Sequence, residues 1–397
     1  MKERISFLLG SGVSIPVGFP SIIKLTNIVL SGEGVMRHTN GNYYFGEPLY
    51  GFPDEYVPRV TLFLNKLKDE IDLYYRRHQS SRLTNYEDLY YVASQIRDSE
   101  TKDYDNPAVQ PLIDKISPEI KPILIGSSSK IEKNWKLKKL ATEATDFIRD
   151  IVWHSLNIEP KRLDHLCFIK EAYMDQSLSK VDIFTINHDT IIEQYLAQNR
   201  IQVNDGFGSA ENNMRYWNPD ILENNSSKVR LLKLHGSVNW FRFRNDGNSD
   251  WSDEKIAIPL EWDLWYTKDT KGRSQWPVDG RPMFLAGTFN KMLDYSSGIY
   301  ADLHYQFYKL LRETEILVVS GYGFRDKGIN TRIIDWIYSH NQNKIIVIHH
   351  DPGELTISAR DSISNKWDKW IQSKRLIIIK KKIEDTKWED ISYYLKS

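Results

Sequence analysis

Short, mainly apolar runs alternate along this chain with longer amphipathic stretches, and each of the first four runs stops at a polar cluster. Ile5 to Leu9 breaks off at Gly10-Ser11-Gly12, and Val181 to Ile186 at Asn187-His188-Asp189. Leu231 to Leu234 gives way to His235-Gly236-Ser237, and Ile316 to Ser320 to Gly321-Tyr322-Gly323. Apolar runs of this length bounded by turn residues predict strands buried on both faces of a parallel sheet. Lys344 to His349 and Arg375 to Ile379 add two more. Apolar positions at three-to-four spacing predict helices over Val60 to Arg77, Tyr86 to Arg97, Lys130 to Leu156, Arg162 to Met174 and Ile329 to Tyr338. Thr190 with Glu193 reads as a capping box for Ile191 to Gln198, and Thr386 with Glu389 as one for a C-terminal helix.

The resulting class is α/β, a Rossmann-like parallel sheet flanked by helices. The interval from Leu9 to Val181 is far longer than one crossover helix and must hold a unit of its own. The expected division is therefore a sheet domain of residues 1–24, 181–240 and 282–397, a mainly helical insertion over 25–180, and a smaller insertion over 241–281. Within the helical insertion, Leu30 to Pro58 reads as a hairpin or an irregular lid. The smaller insertion carries Trp251, Trp262, Trp265 and Trp276, with Trp240 at its edge, and serves either as a contact surface or as loop anchors.

In an open parallel sheet, ligands sit beyond the carboxyl ends of the strands, where all four polar clusters fall. Backbone amides at Gly10-Ser11-Gly12 can approach a phosphate, and a helix following the turn would add its positive end. The spacing departs from G-x-G-x-x-G, because the next glycine is Gly18 and Ile15 stands in the fingerprint position. Glu33 sits in Ser31-Gly32-Glu33-Gly34 rather than at a strand end, so it is not read as a ribose-binding acid.

Charge narrows the partners. The 53 basic residues balance 53 acidic ones, so no global field recruits nucleic acid or a membrane. Lys380-Lys381-Lys382 and the basic stretch Lys130 to Lys139 read as solvated faces. No apolar run is long enough to span a bilayer, and the expected location is cytoplasmic. The one cysteine, Cys167, lies in a helical context as a small hydrophobe, so neither an internal disulfide nor a four-cysteine zinc module can form. His349 and His350, as neighbours on a strand, would point to opposite faces, and with His188 they give no metal site. No metal is expected.

The set Gly10-Ser11-Gly12-Val13-Ser14, Thr185-Ile186-Asn187-His188-Asp189, Lys233-Leu234-His235-Gly236-Ser237 and Gly321-Tyr322-Gly323-Phe324-Arg325-Asp326, in this order, resembles the sirtuin (SIR2-like) superfamily of NAD-consuming enzymes. In particular it resembles the bacterial anti-phage defence branch, whose members hydrolyse NAD rather than deacylate proteins. Asn85-Tyr86-Glu87-Asp88-Leu89 is similar to a recurrent element of that branch. The resemblance implies that Asn187 and His235 are catalytic: the asparagine holds a water or a ribose hydroxyl, and the histidine takes the proton, its ordinary pKa of about 6.5 suiting the task. Asp189 would fix the ribose or the nicotinamide amide, and Ser14 a phosphate or ribose oxygen. Gly10, Ser11, Gly12, Thr185 and Gly236 would line the NAD+ site. Gly321, Tyr322 and Gly323 would contact the adenine-side ribose, and Asp326 either joins them or caps the next helix.

Deacylating sirtuins follow the glycine turn with Gly-Ile-Pro-x-Phe-Arg, whereas here Gly18-Phe19-Pro20 leads into Ser21-Ile22-Ile23. Water is thus the expected acceptor, making the chain an NAD+ glycohydrolase. The alternatives are ADP-ribosyl transfer, protein deacylation, or a non-catalytic nucleotide-sensing module. The resemblance also implies a separately encoded ATPase or sensor as partner. The need to restrain an NAD-consuming enzyme adds a homo-oligomer as an expectation, and the balanced charge argues against direct binding of nucleic acid.

Overall fold

A computed structural model describes residues 3–46, 55–78, 82–101, 106–125, 134–160, 162–224, 226–245, 254–261, 264, 267–269 and 271–395. The chain forms two compact units. One comprises residues 1–19, 159–285 and 292–397, and the other residues 20–158 with 286–291.

The first unit is built on a seven-stranded parallel sheet: β1 Glu3–Leu9, β2 Leu178–Thr185, β3 Val203–Asn204, β4 Val229–Lys233, β5 Ile316–Ser320, β6 Lys344–Ile348 and β7 Leu376–Ile379. Their order across the sheet is β7-β6-β5-β1-β2-β4-β3, with every neighbouring pair parallel. Ile5, Ser6, Phe7, Leu8 and Leu9 are all fully buried, as a central strand covered on both faces requires. From β1 the chain fills one side of the sheet with β2, β3 and β4, and only then the other with β5, β6 and β7. The order therefore reverses between β1 and β5, the place where open α/β sheets bind ligands.

Register decides what meets there. Leu9 pairs with both Thr185 and Ser320, and Thr185 with Lys233, so β1, β2, β4 and β5 all end on the same rung. The segments that follow, at Gly10, Ile186, Leu234 and Gly321, consequently emerge side by side.

Helices Gly298–Leu311, Lys327–Ser339 and Asp361–Gln372 contribute Leu303, Phe307, Trp336, Ile337, Ile363 and Trp370 to a core shared with Leu8, Phe184, Leu232 and Val319. Each large apolar side chain so buried contributes about 1.5–3 kcal/mol. Asp182 and Arg230, register partners on β2 and β4, form a buried ion pair with Nε–Oδ1 2.6 Å.

The described residues of 241–281 include the strands Phe241–Asn245, Lys255–Pro259 and Gln275–Pro277. With Met214–Tyr216 they make a four-stranded antiparallel sheet. Trp240 is buried against Phe207 and Trp217, so it is an anchor, whereas Trp276 is exposed. Trp251, Trp262 and Trp265 lie outside the described residues.

Among its described residues the second unit packs the helices Ile22–Ser31, Tyr56–Arg77, Tyr86–Thr101, Gln110–Leu124 and Leu137–Leu156, with a hairpin of Val35–Arg37 and Tyr43–Phe45. Val60, Leu64 and Leu67, then Leu89, Ala93 and Ile96, then Leu140, Ala144, Ile148 and Ile151 are buried at helical spacing. Glu143 on the last helix accepts Arg37 Nε and Nη2 at 2.9 Å each and the Tyr43 hydroxyl at 2.6 Å, which ties the hairpin to the bundle.

Several expectations are corrected. The stretch Arg162 to Met174 is a 3-10 turn, Asp164–Leu166, followed by a short helix, Cys167–Met174, and Phe168 of that helix packs on Phe7 of β1. That packing puts residues 159–180 with the sheet rather than with the helical insertion. Cys167 itself is only half-buried. The helix expected from Lys130 begins at Leu137, residues 130–133 being outside the described ones. Gln110–Leu124 was not expected, because Pro118 and Pro122 stand inside it.

The glycine turn is followed by two 3-10 turns, Ser11–Val13 and Ile15–Val17, and not directly by an α-helix. Neither capping box forms as read. Thr190 makes no cap bond and Glu193 pairs with Lys233 instead, at 2.9 Å. At the C-terminal end the box shifts by one residue, the Asp390 carboxylate accepting the Lys387 N–H at 3.1 Å. Finally, β6 ends at Ile348, so the opposite-face argument does not apply to His349 and His350, whose rings stack 4.8 Å apart. Among the described residues no single helix is long and apolar enough to cross a membrane.

Candidate active site

The glycines after β1 and β5 are locked together. Gly10 N–H donates to Ser320 O at 2.9 Å, and Gly12 N–H to Gly321 O at 3.0 Å. A Cβ on Gly10 would stand 2.4 Å from Gly321 O, and one on Gly12 2.6 Å from Gly321 Cα. Gly321 has φ +66°, and its own Cβ would meet Val13 N at 2.6 Å. Absence of side chains thus serves contact between two backbones. The amides of Gly10 and Gly12, expected to approach a phosphate, are already spent, as are those of Val13 and Ser14 on Gly10 O and Ser11 O. Ser11 is exposed beside them.

Asn187 gathers the ends of β1 and β2. Its backbone N–H donates to Thr185 Oγ1 at 3.0 Å, and that hydroxyl donates to Leu9 O at 2.9 Å. Its Nδ2 donates to Gly10 O at 3.0 Å and to Ser14 Oγ at 3.1 Å. Because a carbonyl oxygen can only accept, the Gly10 contact fixes which amide atom is nitrogen. Ser14 Oγ donates to Asp189 Oδ2 at 2.7 Å, and Asp189 Oδ1 accepts Ile191 N–H at 3.2 Å. Lys233 Nζ, held by Glu193, donates to the Asp189 carbonyl. Both donors of Asn187 are used, yet Oδ1 is buried with no partner. An unmade bond of that kind costs about 1–3 kcal/mol, which a hydroxyl or water donor would relieve.

His235 stands beyond β4. Its Nε2 lies 2.7 Å from the Tyr295 hydroxyl, which donates to Asp326 Oδ2 at 2.6 Å, and Nε2 itself is 3.3 Å from that oxygen. Asp326 Oδ1 accepts Ile329 N–H at 2.9 Å, capping Lys327–Ser339. Asp326 is therefore both a helix cap and the carboxylate behind the histidine.

Residues 181–374 match the SIR2-like domain. The matched span holds Asn187, His235 and Gly321, while β1 and its glycine turn precede it. Solved structures of Sir2 homologues are similar to the chain at low identity. One, a mutant in complex with ADP-ribose, aligns over 99% of this chain and 92% of that one, with 12% identity and a TM-score of 0.37. A second, a Sir2 homologue–NAD complex, aligns over 99% and 90%, with 12% identity and a TM-score of 0.36. A sequence search of curated proteins gives no match.

The turn after β1 supplies Ser14 and the segment after β2 supplies Asn187 and Asp189 to one hydrogen-bonded group, in which both carboxylate oxygens of Asp189 are committed. Gly236 is spanned by the backbone of Met283, whose carbonyl a Cβ would meet at 2.3 Å. Tyr322 is placed differently from the expectation of a ribose contact: its ring lies in the core and its hydroxyl donates to Asn330 Oδ1 at 2.7 Å. His188 packs tilted against Phe284 with ring centroids 4.7 Å apart, and the His235 ring lies 6.3 Å away. Among the described residues no group of three or more His, Cys, Asp or Glu side chains is placed to hold a metal ion.

Tyr295 and His304 were not expected from the sequence. Neither belongs to a motif or follows a strand; the spacing of Leu303, His304 and Phe307 on one helix face was the available signal for the second. The His304 ring stacks on Tyr295 with centroids 3.8 Å apart. Burial, reinforced by His235 nearby, pushes the His304 pKa down from 6.5 to about 3. The unfolded chain takes up this proton near pH 6.5, whereas the folded chain refuses it until about pH 3. Stability is accordingly full above the unfolded value and falls as the pH drops through that window, by up to about 1.4 kcal/mol per pH unit. We expect His304→Gln to flatten the dependence of urea unfolding on pH between about 6.5 and 5. An unchanged slope would contradict the assignment.

Proposed function

We propose that this protein is an NAD+ glycohydrolase, releasing nicotinamide and ADP-ribose. The observation that carries the reading is the Asn187 amide, whose donors are consumed while its buried oxygen is left to accept one more hydrogen bond. That is the demand a ribose hydroxyl or an attacking water makes. Bound NAD+ supplies the chemistry: its cationic nicotinamide departs from the ribose carbon as water takes its place, giving ADP-ribose and one proton. His235 takes that proton, with the Asp326 carboxylate 3.3 Å away to balance the charge that forms. Ser11, exposed at the glycine turn, and the backbone of Gly321 to Gly323 are the groups offered to the rest of the dinucleotide.

A chain with one cysteine cannot build a four-cysteine zinc module, which favours water over an acyl-lysine as acceptor. Depletion of NAD+ in anti-phage defence is the setting that the motif resemblance favours. Because an unrestrained enzyme of this kind would drain its own cell, assembly into a homo-oligomer or with a separately encoded sensor is the proposed control.

The acceptor is tested by adding an acetyl-lysine peptide to an NAD+ reaction and separating the products by chromatography. We expect nicotinamide and free ADP-ribose at the same rate with and without peptide. Turnover that requires the peptide and yields acetylated ADP-ribose would overturn the hydrolytic reading.

A further inference from the structure

We propose that Tyr295 is a positioning residue that fixes the tautomer of His235, holding its proton on Nε2 and leaving the lone pair on Nδ1. The Tyr295 oxygen carries one hydrogen, and that hydrogen points to Asp326 Oδ2, 2.6 Å away. The same oxygen then meets His235 Nε2 at 2.7 Å as an acceptor, so Nε2 is the protonated nitrogen. Asp326 cannot turn aside to break the chain, because its other oxygen caps the helix at Ile329.

The arrangement is held from several sides. Tyr295 is stacked on His304. It also lies so close to the start of Lys327–Ser339 that a Cβ on Gly328 would stand 2.5 Å from its ring. His304 has its Nε2 3.2 Å from the Leu234 carbonyl, one residue before His235. The ionisable groups around the His235 ring are Tyr295, Asp326, His304 and His188, with Arg332 acting on His304 from the capped helix.

The consequence is directional. A proton arriving at Nδ1 makes an imidazolium whose Nε2–H already points to Tyr295 and the carboxylate behind it. Histidine bases of known function are oriented in this way by a hydrogen bond to the far nitrogen. The inference rests on His235 being the base of the proposed cleavage, but the tautomer can be read without any turnover.

The test pairs nitrogen-15 NMR of the histidine rings with kinetics, on the full chain and on Tyr295→Phe and Asp326→Asn. His235→Gln assigns the His235 signals, and Tyr295→Phe keeps the ring stacked on His304. We expect His235 as the Nε2–H tautomer in the unmodified chain and a mixture in Tyr295→Phe. We also expect kcat for NAD+ to fall by about 10- to 100-fold with little change in KM, short of the about 10²–10⁴-fold loss of removing a base. The acid limb of the rate profile should move to lower pH in Asp326→Asn, because the imidazolium loses its counter-charge. An Nδ1–H tautomer in the unmodified chain, or a Tyr295→Phe variant with unchanged tautomer, would overturn the proposal. If the unmodified chain shows no turnover, the function fails and the spectrum alone decides the role of Tyr295.

Discussion

Replacing Asn187 or His235 by alanine is expected to lower NAD+ turnover by about 10²–10⁴-fold while leaving the chain folded. Asn187→Ala removes two donated bonds, to Gly10 O and Ser14 Oγ, but also removes a buried oxygen that lacks a partner. These effects offset, so the stability cost should stay near 1 kcal/mol. The chemical cost is larger, because Asn187 Oδ1 is the acceptor assigned to the reacting hydroxyl or water. In His235→Ala the base is gone, and Tyr295 loses only one of its contacts. Initial rates at matched circular-dichroism melting would check both variants. Either one turning over within a few-fold of the unmodified chain would remove its residue from the chemistry.

Gly10→Ala should damage the fold itself. Its new methyl would stand 2.4 Å from Gly321 O and 2.7 Å from Tyr322 Cα, all backbone atoms between two central strands. No rotamer change relieves that contact. Overpacking in cores costs about 1–3 kcal/mol, and the upper end is expected here because the obstacle is main chain. Gly321→Ala adds left-handed strain at φ +66° to a contact of 2.6 Å with Val13 N. Gly18 is the control. Its φ is +93° with nothing within 4 Å of a Cβ, so Gly18→Ala should show backbone strain alone, about 1–2 kcal/mol. Denaturant midpoints measure all three, and equal losses at Gly10 and Gly18 would show that the two turns are not interlocked.

The sheet and its polar strand ends could be read from the chain because a strand buried on both faces is mainly apolar, with few polar positions such as Ser6 and Asp182. Ile5 to Leu9 and Ile316 to Ser320 announce themselves, and so do the turns that follow them. The groups behind the site could not be read. Tyr295 reaches His235 across 60 positions and Asp326 across 31, and no local pattern marks a residue whose partners the fold alone supplies. Glu193 misled for a related reason: spacing put it in a capping box, but the buried Lys233 needed a countercharge. The glycines after β1 misled more subtly, since the residue type was right and its use different. Their missing side chains admit the backbone at Gly321, and their amides bond within the protein. Gln110–Leu124 was hidden by prolines that a helix tolerates once Ile113, Ile116 and Ile120 are buried on one face.

Cleavage of the bond between nicotinamide and ribose at this site is read most directly from its products. Its most direct measurement is incubation of the purified chain with NAD+ alone, with nicotinamide and ADP-ribose counted over time beside His235→Ala. We expect one ADP-ribose for each nicotinamide, and neither product from the variant. NAD+ bound by calorimetry but recovered intact, or cleaved equally by His235→Ala, would contradict this expectation.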